Sequence, residues 1–347
     1  MKPVVAIMGA TGNVGRQMLS ILEQRHFPIK ELKLLASARS AGRSLVFRGQ
    51  RHTVEDLTPT SFEGVDLVLA SAGASISKQY VDAIVKAGAT IVDNSSAFRM
   101  DEGVPLVIPE ANGQTLEHHQ GIIANPNCST SQLMVALGPI HKKFGLKRLV
   151  ISTYQSVSGT GKAAIEELIR QSKMMLEGKE VTDADCQTYS HPIAFNVLPQ
   201  CDIFFDNGYT KEELKLVNET RKILGDEDIA ITATAVRVPV MVSHAESVNV
   251  ETREKTNAAE VRELLKDAPG LIVVDDPEKM AYPTPLYSSG QDETFVGRIR
   301  DDISNPNAIE MFVVADNLRK GAALNTIQIA EVLLENDWLK VRPKVAV

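Results

Sequence analysis

The chain has 347 residues, 44% hydrophobic and 23% charged, which suits a globular protein with room for two domains of ordinary size. Its 37 basic and 44 acidic side chains leave a net charge of -7, so no overall basic field attracts nucleic acid. No stretch approaches the roughly 18 uninterrupted apolar residues of a membrane span, the opening segment does not read as a signal peptide, and three cysteines, Cys128, Cys186 and Cys201, form no C-x-x-C pair, which fits a reducing cytoplasm.

Val4-Val5-Ala6-Ile7-Met8 has the continuous apolar character of a buried parallel strand and runs into Gly9-Ala10-Thr11-Gly12-Asn13-Val14-Gly15, after which Met18, Leu19, Ile21 and Leu22 mark one helix face. In a strand, glycine turn and helix, the glycines let the backbone approach a pyrophosphate, and the helix N-terminus supplies amide donors for it. Gly9, Thr11, Gly12, Asn13, Val14 and Gly15 are therefore candidate dinucleotide-binding residues; a plain tight turn is the competing reading. Leu32 to Ala36 reads as the second strand, whose end is where an acid would hold the ribose of NAD. No acid is there. The chain continues Ser37-Ala38-Arg39-Ser40-Ala41-Gly42-Arg43, hydroxyls and guanidinium groups suited to a 2′-phosphate, so Ser37, Arg39 and Ser40 favour NADP over an ordinary solvated basic turn. Val65 to Ala70 and Thr90 to Asp93 continue the series. Their small polar loops, Ser71-Ala72-Gly73-Ala74-Ser75 and Asn94-Ser95-Ser96-Ala97-Phe98-Arg99, stand where open α/β sheets bind ligands. Ser71 and Gly73 join the cofactor candidates, and Arg99 is a candidate clamp for phosphate or carboxylate, an unpartnered exposed arginine being the default. The alternation predicts a Rossmann-type nucleotide-binding domain to about residue 127.

At Asn125-Pro126-Asn127-Cys128-Ser129-Thr130-Ser131-Gln132 the apolar run Ile122-Ile123-Ala124 gives way to a helix marked by Leu133, Met134, Leu137 and Ile140. Asn127, Ser129 and Thr130 are residue types that accept hydrogen bonds from free amides at a helix start, so Cys128 is expected at a helix N-terminus. There the dipole and the unpaired amides favour a thiolate and can hold an oxyanion. The bland alternative is a small buried hydrophobe.

Arg148 to Tyr154 reads as a strand that opens a second domain and delivers Gln155-Ser156-Val157-Ser158-Gly159-Thr160-Gly161. From here the alternation with regular helices weakens, and residues 175 to 210 are expected to be irregular, as a cover over the site or an oligomer contact. Thr210 to Leu224 is a helix with Thr210 as cap, Glu213 in the capping-box position and Leu214, Val217 and Leu224 on its apolar face. Glu212 and Lys215 share one side of it and read by default as an exposed ion pair. Ile229 to Val236 is a strand leading into Arg237-Val238-Pro239-Val240-Met241-Val242-Ser243-His244, where Pro239 implies an edge or a bend. His244 is a candidate active histidine, with a structural role as the common alternative. Ala245 to Glu251 alternates like a solvent-edged strand; Leu271 to Val274, Phe295 to Ile299 and Met311 to Ala315 are further strands, and Gly321 to about Asn336 is a last helix. These make the second domain a mixed sheet with helices.

Four blocks, Gly9 to Gly15, Asn125 to Thr130, Ser152 to Gly159 and Arg237 to His244, together resemble the bacterial aspartate-semialdehyde dehydrogenase family. Asp206-Asn207-Gly208-Tyr209-Thr210, Phe295 to Arg300 and Ala315 to Ala323 are similar to that family too, and the match extends over nearly the whole chain, with least to match around residues 170 to 190. The resemblance implies an α/β protein: a Rossmann-type NADP-binding domain over residues 1–127, joined by a C-terminal helix over 318–347, and an α+β catalytic and dimerisation domain with a mixed sheet over 128–317. It implies NADP-dependent interconversion of L-aspartate 4-semialdehyde and L-4-aspartyl phosphate through a cysteine thioester. The setting it implies is a cytoplasmic homodimer on the branch toward lysine through diaminopimelate, threonine, methionine and isoleucine. No metal is implied.

Carried over position by position, Cys128 looks like the nucleophile, His244 like the acid-base group and Gln155 like the residue that orients the acyl intermediate. Arg237 would hold the substrate α-carboxylate, Glu212 its α-amine, and Arg99 and Lys215 the phosphate; Asn127 falls with the substrate residues, and Ser158, Gly159 and Asn317 with the cofactor residues. The types suit the chemistry: a soft nucleophile displaces phosphate, a thioester accepts hydride more readily than a carboxylate, and an imidazole can move the protons. An N-acetyl-γ-glutamyl-phosphate reductase shares the thioester logic but would leave Glu212 without a free amine. An NADPH-binding redox sensor built on Cys128 would need none of Arg237, His244 and Gln155.

Overall fold

The computed structural model describes residues 2–340. The chain forms two compact units, one from the start to Asn127 together with the segment from Ala322 onward, the other Cys128–Gly321.

In the first unit β1 (Val4–Met8) is buried at every residue, as its apolar run requires, and is followed by α1 (Asn13–Gln24) and β2 (Glu31–Ala36). A hairpin of β3 (Ser44–Phe47) and β4 (Gln50–Asp56) comes next, then β5 (Leu67–Ala70), α2 (Ala74–Lys86), β6 (Thr90–Asp93), the single turn α3 (Pro109–Asn112) and β7 (Ile122–Ala124). The sheet order is β3-β4-β2-β1-β5-β6-β7, parallel except for the β3–β4 pair. That is a doubly wound sheet whose strand order reverses between β1 and β5. The hairpin has no counterpart in the sequence reading because its strands are polar and half exposed. Its turn residues, Arg48 and Gly49, both have positive φ (49° and 75°), the conformation that matches strand twist in two-residue hairpin loops. Two glycines are obligatory where β1 meets α1. Gly9 has φ 91°, and a Cβ on Gly15 would lie 2.3 Å from the Gly9 carbonyl oxygen.

The second unit opens with α4 (Cys128–Phe144), then β8 (Leu146–Gln155), α5 (Lys162–Leu176), α6 (Lys211–Leu224), β9 (Ala230–Arg237), β10 (His244–Thr252) and α7 (Ala258–Lys266). It closes with β11 (Leu271–Val273), the single turn α8 (Pro285–Ser288), β12 (Thr294–Asp301) and β13 (Ala308–Ala315). Its mixed sheet runs β11-β12-β13-β10-β8-β9. β10 is therefore central, correcting the expectation of a solvent-edged strand. Its alternation is real, with His244, Glu246, Val248 and Val250 buried and Ser247, Asn249 and Glu251 half exposed, but a period of two reports two unlike faces, not an edge. β11 and β9 are the edges, and β9 ends at Arg237, just before Pro239.

A regular helix, α5, stands where the alternation was expected to weaken. Two of its buried residues are polar, which hides the apolar stripe from a sequence reading. Glu167 accepts from the amides of Gln187 and Thr188 (2.8 and 2.7 Å), and Gln171 from those of Ile193 and Ala194 (2.9 and 3.2 Å), so these side chains satisfy the backbone of the irregular stretch after Leu176. α6 carries the expected capping box, Glu213 N to Thr210 Oγ1 and Thr210 N to Glu213 Oε2, and ends on Gly225 at φ 66°. Its buried face is Leu216, Val217, Thr220 and Ile223; Leu214 and Leu224 are only half buried.

The last helix begins as a π turn, Arg319–Ala323, and continues as α9 (Leu324–Glu335), whose Ile327, Ala330 and Leu333 join the core formed by Met18, Ile21 and Leu22 of α1. Burying each of the Ile, Leu and Met side chains among them contributes about 1.5–3 kcal/mol. The expected helical segment 318–347 thus falls in both units, and its residues 341–347 lie outside the described residues. No helix among the described residues is long and apolar enough to cross a membrane.

Candidate active site

The carboxyl ends of β1, β2, β4 and β5 surround a cleft of about 460 Å³ lined by Gly9, Thr11 and Gly12, then Ser37 and Ala38, Asp56 and Leu57, and Ser71 and Ala72. This is the switch point of the sheet, where such folds bind ligands. The residues fit a dinucleotide: α1 has no side-chain cap at Gly12, so the amides of its first turn at Asn13 and Val14 remain available, and the Ser71 hydroxyl is buried without a partner. Ile76 and Tyr80 add apolar walls, and the Tyr80 hydroxyl fixes one of them by donating to the Leu57 carbonyl (2.9 Å). Of the residues expected to read a 2′-phosphate, Ser37 lines the cleft and Arg39 is exposed, while Ser40 is buried and receives the Thr11 hydroxyl (3.4 Å). Gly73 has φ 94° and starts α2 rather than lining the cleft. One expectation needs correcting. An acid does reach this end of the sheet, because the register of β2 with β4 sets Asp56 beside Ala36. Arg99, also in this unit, is buried, and donates to the backbone oxygens of Asn125 (2.9 Å) and Asn94 (3.1 Å), so it is not an unpartnered surface arginine.

In the second unit Cys128 is the first residue of α4, partly exposed, as its helix-start pattern predicts. Gly321 packs on it so closely that a Cβ there would lie 2.9 Å from the Cys128 Cβ. The next residue, Ser129, accepts from Gln155 Nε2 (2.9 Å), which also donates to Glu212 Oε1 (3.1 Å). Glu212 in turn receives Lys215 Nζ (2.9 Å), and Lys215 reaches Asp202 as well (3.0 Å). The helical ion pair therefore exists, but Glu212 is buried, not exposed.

Arg237, at the end of β9, donates from Nη1 to the Ser156 carbonyl (2.7 Å) and has a buried Nε with no partner. It lines a cavity of about 300 Å³ with Thr160, Tyr189, Gln200, Cys201 and Asp202. His244 is fully buried, and its Nδ1 accepts the Ser156 backbone N–H (3.0 Å). The Ser156 hydroxyl also lies 3.1 Å from Nδ1; because a backbone amide can only donate, the neutral ring carries its proton on Nε2, which has no hydrogen-bond partner among the described residues. Burial, reinforced by the Arg237 guanidinium, pushes its pKa down to about 3. Gly159 leaves room beside the ring, since a Cβ there would lie 3.2 Å from His244 Nε2 and 3.3 Å from Arg237 Nη1.

Residues 4–119 match the family model described as "Semialdehyde dehydrogenase, NAD binding domain", and residues 137–320 match "Semialdehyde dehydrogenase, dimerisation domain". An aspartate-semialdehyde dehydrogenase of Aquifex aeolicus (strain VF5) is 53% identical over 95% of this chain and 98% of its own length. The chain belongs to the aspartate-semialdehyde dehydrogenase family. Aspartate semialdehyde dehydrogenase II from Vibrio cholerae, in a crystal structure complexed with ASA, superposes with a TM-score of 0.91 at 44% identity, covering 97% of this chain and 99% of that one. The enzyme from Candida albicans, crystallised with NADP, gives a TM-score of 0.77 at 25% identity over 97% and 100% of the two chains. The oxidoreductase class and the two-part fold, a Rossmann-type dinucleotide domain and a mixed-sheet domain, agree with the resemblance read from the sequence motifs.

In this aspartate-semialdehyde dehydrogenase family member three buried groups around the site were not singled out from the sequence. Ser156 supplies the amide to His244. Ser243, in a left-handed conformation at φ 77°, turns the chain into β10. Glu246, two residues after His244 on the same strand face, is fully buried with both carboxylate oxygens lacking a strict hydrogen bond; it lies near Gln132 and Ser129, and burial pushes its pKa well above the carboxylate range. The only signal for it was an acid in an apolar alternation. Cys201 is no rival nucleophile, because burial pushes its thiol up to about 11.

Proposed function

We propose that the chain uses NADP to interconvert L-aspartate 4-semialdehyde plus phosphate with L-4-aspartyl phosphate, through a thioester on Cys128. The observation that carries this reading is the continuous hydrogen-bonded set that runs from Ser129, beside Cys128, through Gln155 to Glu212, with Arg237 and His244 both bound to the adjacent Ser156. The helix start favours the thiolate of Cys128, which adds to the aldehyde carbon. His244 Nε2–H donates to the oxygen that becomes an alkoxide, and Gln155 orients the acyl group. The chemistry a bound nicotinamide dinucleotide supplies is acceptance of the hydride lost by that carbon. Phosphate then attacks the thioester carbonyl, the C–S bond breaks, and Cys128 leaves as the thiolate.

Arg237 would clamp the α-carboxylate, its partnerless Nε being suited to a two-point bond. Glu212 would receive the α-amine in competition with Lys215. An acetylated amine would bring no charge to that buried carboxylate, which disfavours the N-acetyl-γ-glutamyl-phosphate alternative. Phosphate binding by Lys215 requires its release from Asp202 and Glu212, and by Arg99 a guanidinium edge beyond the two backbone bonds; Asn127 belongs to the same substrate set by resemblance. Gly9, Thr11, Gly12, Asn13, Val14 and Gly15 with Ser37, Arg39, Ser40, Ser71, Gly73, Ser158, Gly159 and Asn317 make up the cofactor set, and the NADP complex of the Candida albicans relative supports the choice of dinucleotide. The family description of the second domain as a dimerisation domain, with exposed Phe195, Ile203, Phe204 and Phe205 in this unit, supports a homodimer. A cytoplasmic enzyme on the branch to lysine through diaminopimelate, threonine, methionine and isoleucine completes the reading.

The test is a spectrophotometric assay with aspartate semialdehyde, phosphate and each nicotinamide coenzyme in turn. Phosphate-dependent NADP reduction is the expected result; reduction that ignores phosphate, or runs only with NAD, overturns it.

A further inference from the structure

We propose that Glu246 is a positioning residue: as a neutral carboxylic acid it pairs with the side-chain amide of Gln132 and so fixes the start of α4, which carries Cys128, against the strand that carries His244. The inference deepens the thioester reading above and rests on it for the roles of Cys128 and His244.

Glu246 is fully buried on the inner face of β10, two residues after His244. Ala245 pairs with Tyr154 and Glu246 with Thr153, so Gln155 stands one step further along β8, at the level of His244. The bond from Gln155 Nε2 to Ser129 Oγ (2.9 Å) brings the first turn of α4 to that level too. From Cys128 to Gln132 is four residues, about 6 Å along a helix, and from His244 to Glu246 is two residues, about 6.8 Å along a strand. Because α4 packs on β10, these matched steps carry Gln132 to Glu246. Gln132 and Ser129 stand beside the Glu246 carboxyl, close enough to act on it, though no atom pair meets strict hydrogen-bond geometry.

The two side chains complement each other only when Glu246 holds a proton. Gln132 is also fully buried, and neither its Nε2 and Oε1 nor the two oxygens of Glu246 have a strict partner among the described residues; the Thr153 hydroxyl across the strand pair is in the same state. An ionised carboxylate only accepts, so it would take an N–H from Gln132 Nε2 and leave Oε1 facing a negative charge. A carboxylic acid accepts from Nε2 through its carbonyl oxygen and donates its O–H to Oε1. Small side-chain rotations then give each of the four atoms a partner. The surroundings favour the neutral form. Glu212 from α6, a charged group that acts on Glu246, has the same sign. Ser129 and Gln132 from α4 and Thr153 from β8 are uncharged, Val313 opposite it on β13 is apolar, and His244 on its own strand is uncharged at rest. Burial, to which Glu212 adds, holds the Glu246 pKa well above the carboxylate range.

The pair supplies a second polar anchor for α4. The bond between Ser129 and Gln155 fixes one point of the helix on the sheet, but one point sets no direction. Gln132 and Glu246, one turn on, set it. With both in place Cys128 and His244 are presented in one register, and the anchor carries no charge that would compete with the buried Glu212 carboxylate for the substrate amine.

The experiment is infrared difference spectroscopy of the full-length protein at neutral pH, wild type minus Glu246→Gln, beside the NADPH burst without phosphate and the pH profile of Cys128 alkylation by iodoacetamide. The difference spectrum should contain the C=O stretch of a hydrogen-bonded carboxylic acid and no carboxylate band from Glu246. Gln132→Met should move that stretch to higher frequency, as the acid loses its partner. Glu246→Ala and Gln132→Met should each slow the burst by roughly 10- to 100-fold, the range of a misplacement of about 1 Å, with the alkylation profile and the Kd for NADP unchanged. Glu246→Gln sets two amides together that can pair in the same way, so it should keep the wild-type burst. A carboxylate band in place of the acid band overturns the proposal, as does an unshifted stretch in Gln132→Met, a wild-type burst in Glu246→Ala or Gln132→Met, or a burst in Glu246→Gln as slow as in Glu246→Ala. Should Glu246→Ala fail to fold, the spectra and the Gln132→Met burst decide. The spectra need no turnover, so they stand even if Cys128 proves not to be the nucleophile.

Discussion

The cleft of the first unit and the Cys128 site are built by opposite means. In the cleft the backbone does the work: Gly9 and Gly15 bring strand and helix together, an uncapped helix start offers amides, and few side chains are committed to one another. At Cys128 buried side chains are bonded in series, Ser129 to Gln155 to Glu212 to Lys215, with Asn317 bridging Ser156 and Ser243. A backbone site tolerates exchange of most side chains and fails when a Cβ intrudes. A side-chain network fails when any member changes shape, because each buried partner left behind stays unsatisfied.

Gly15→Val should give the largest effect, since its Cβ would intrude on the Gly9 carbonyl oxygen. Overpacking of this kind costs about 1–3 kcal/mol, so NADP affinity measured by fluorescence titration should drop by roughly 10- to 100-fold, or the first unit should fail to fold. An unchanged Kd would show that the glycine contact is incidental. Arg237→Lys keeps the charge and discards the fork, and loss of charge-assisted bonds worth about 1.5–3 kcal/mol should lower kcat/KM for the semialdehyde by roughly 10- to 100-fold. Full saturation kinetics with wild-type constants would remove Arg237 from substrate binding.

Glu246→Gln sharpens the comparison through pH. The folded pKa of Glu246 lies well above its unfolded value, so the folded state holds a proton that the unfolded state releases, and wild-type stability falls as pH rises from about 4.5 toward that raised value. Glutamine keeps the shape without the proton. Its melting temperature should therefore gain on wild type as pH rises from about 4.5 toward that raised value, and parallel curves would mean that Glu246 is already ionised. The smallest effect should come from the cleft, where exposed groups act: Asp56→Ala should raise the preference for NADP over NAD by no more than about fivefold, the range of an exposed charge interaction. A fall in that preference would place Asp56 on the 2′-phosphate side by some attractive contact.

What could be read in advance follows from how local each signal is. The β1–α1 turn lies within twelve residues and announces itself by glycine spacing and a helical stripe. The start of α4 at Cys128 and the Thr210–Glu213 capping box are equally local, and both appear where their patterns place them. Asp56 escaped because it depends on a polar hairpin that pairs β4 with β2, a contact between strands that no periodicity reveals. β10 was misplaced at an edge because alternation describes faces and not neighbours. Around Cys128 the segments near 155, 212, 237 and 317 meet only in three dimensions; family resemblance, not spacing, connected them. Even so, Asn317 was anticipated only as a cofactor residue, and its bonds to Ser156 and Ser243 came from the coordinates alone.

The central claim is covalent chemistry at one sulfur, and it is tested by mixing the protein with aspartate semialdehyde and NADP in the absence of phosphate. The account predicts a burst of NADPH equal to the active sites and an aspartyl acyl group found by mass spectrometry on the peptide that contains Cys128, both absent in Cys128→Ala, with the acyl group alone discharged as aspartyl phosphate when phosphate is added. An acyl group on another residue, or phosphate-dependent turnover by Cys128→Ala, would contradict it.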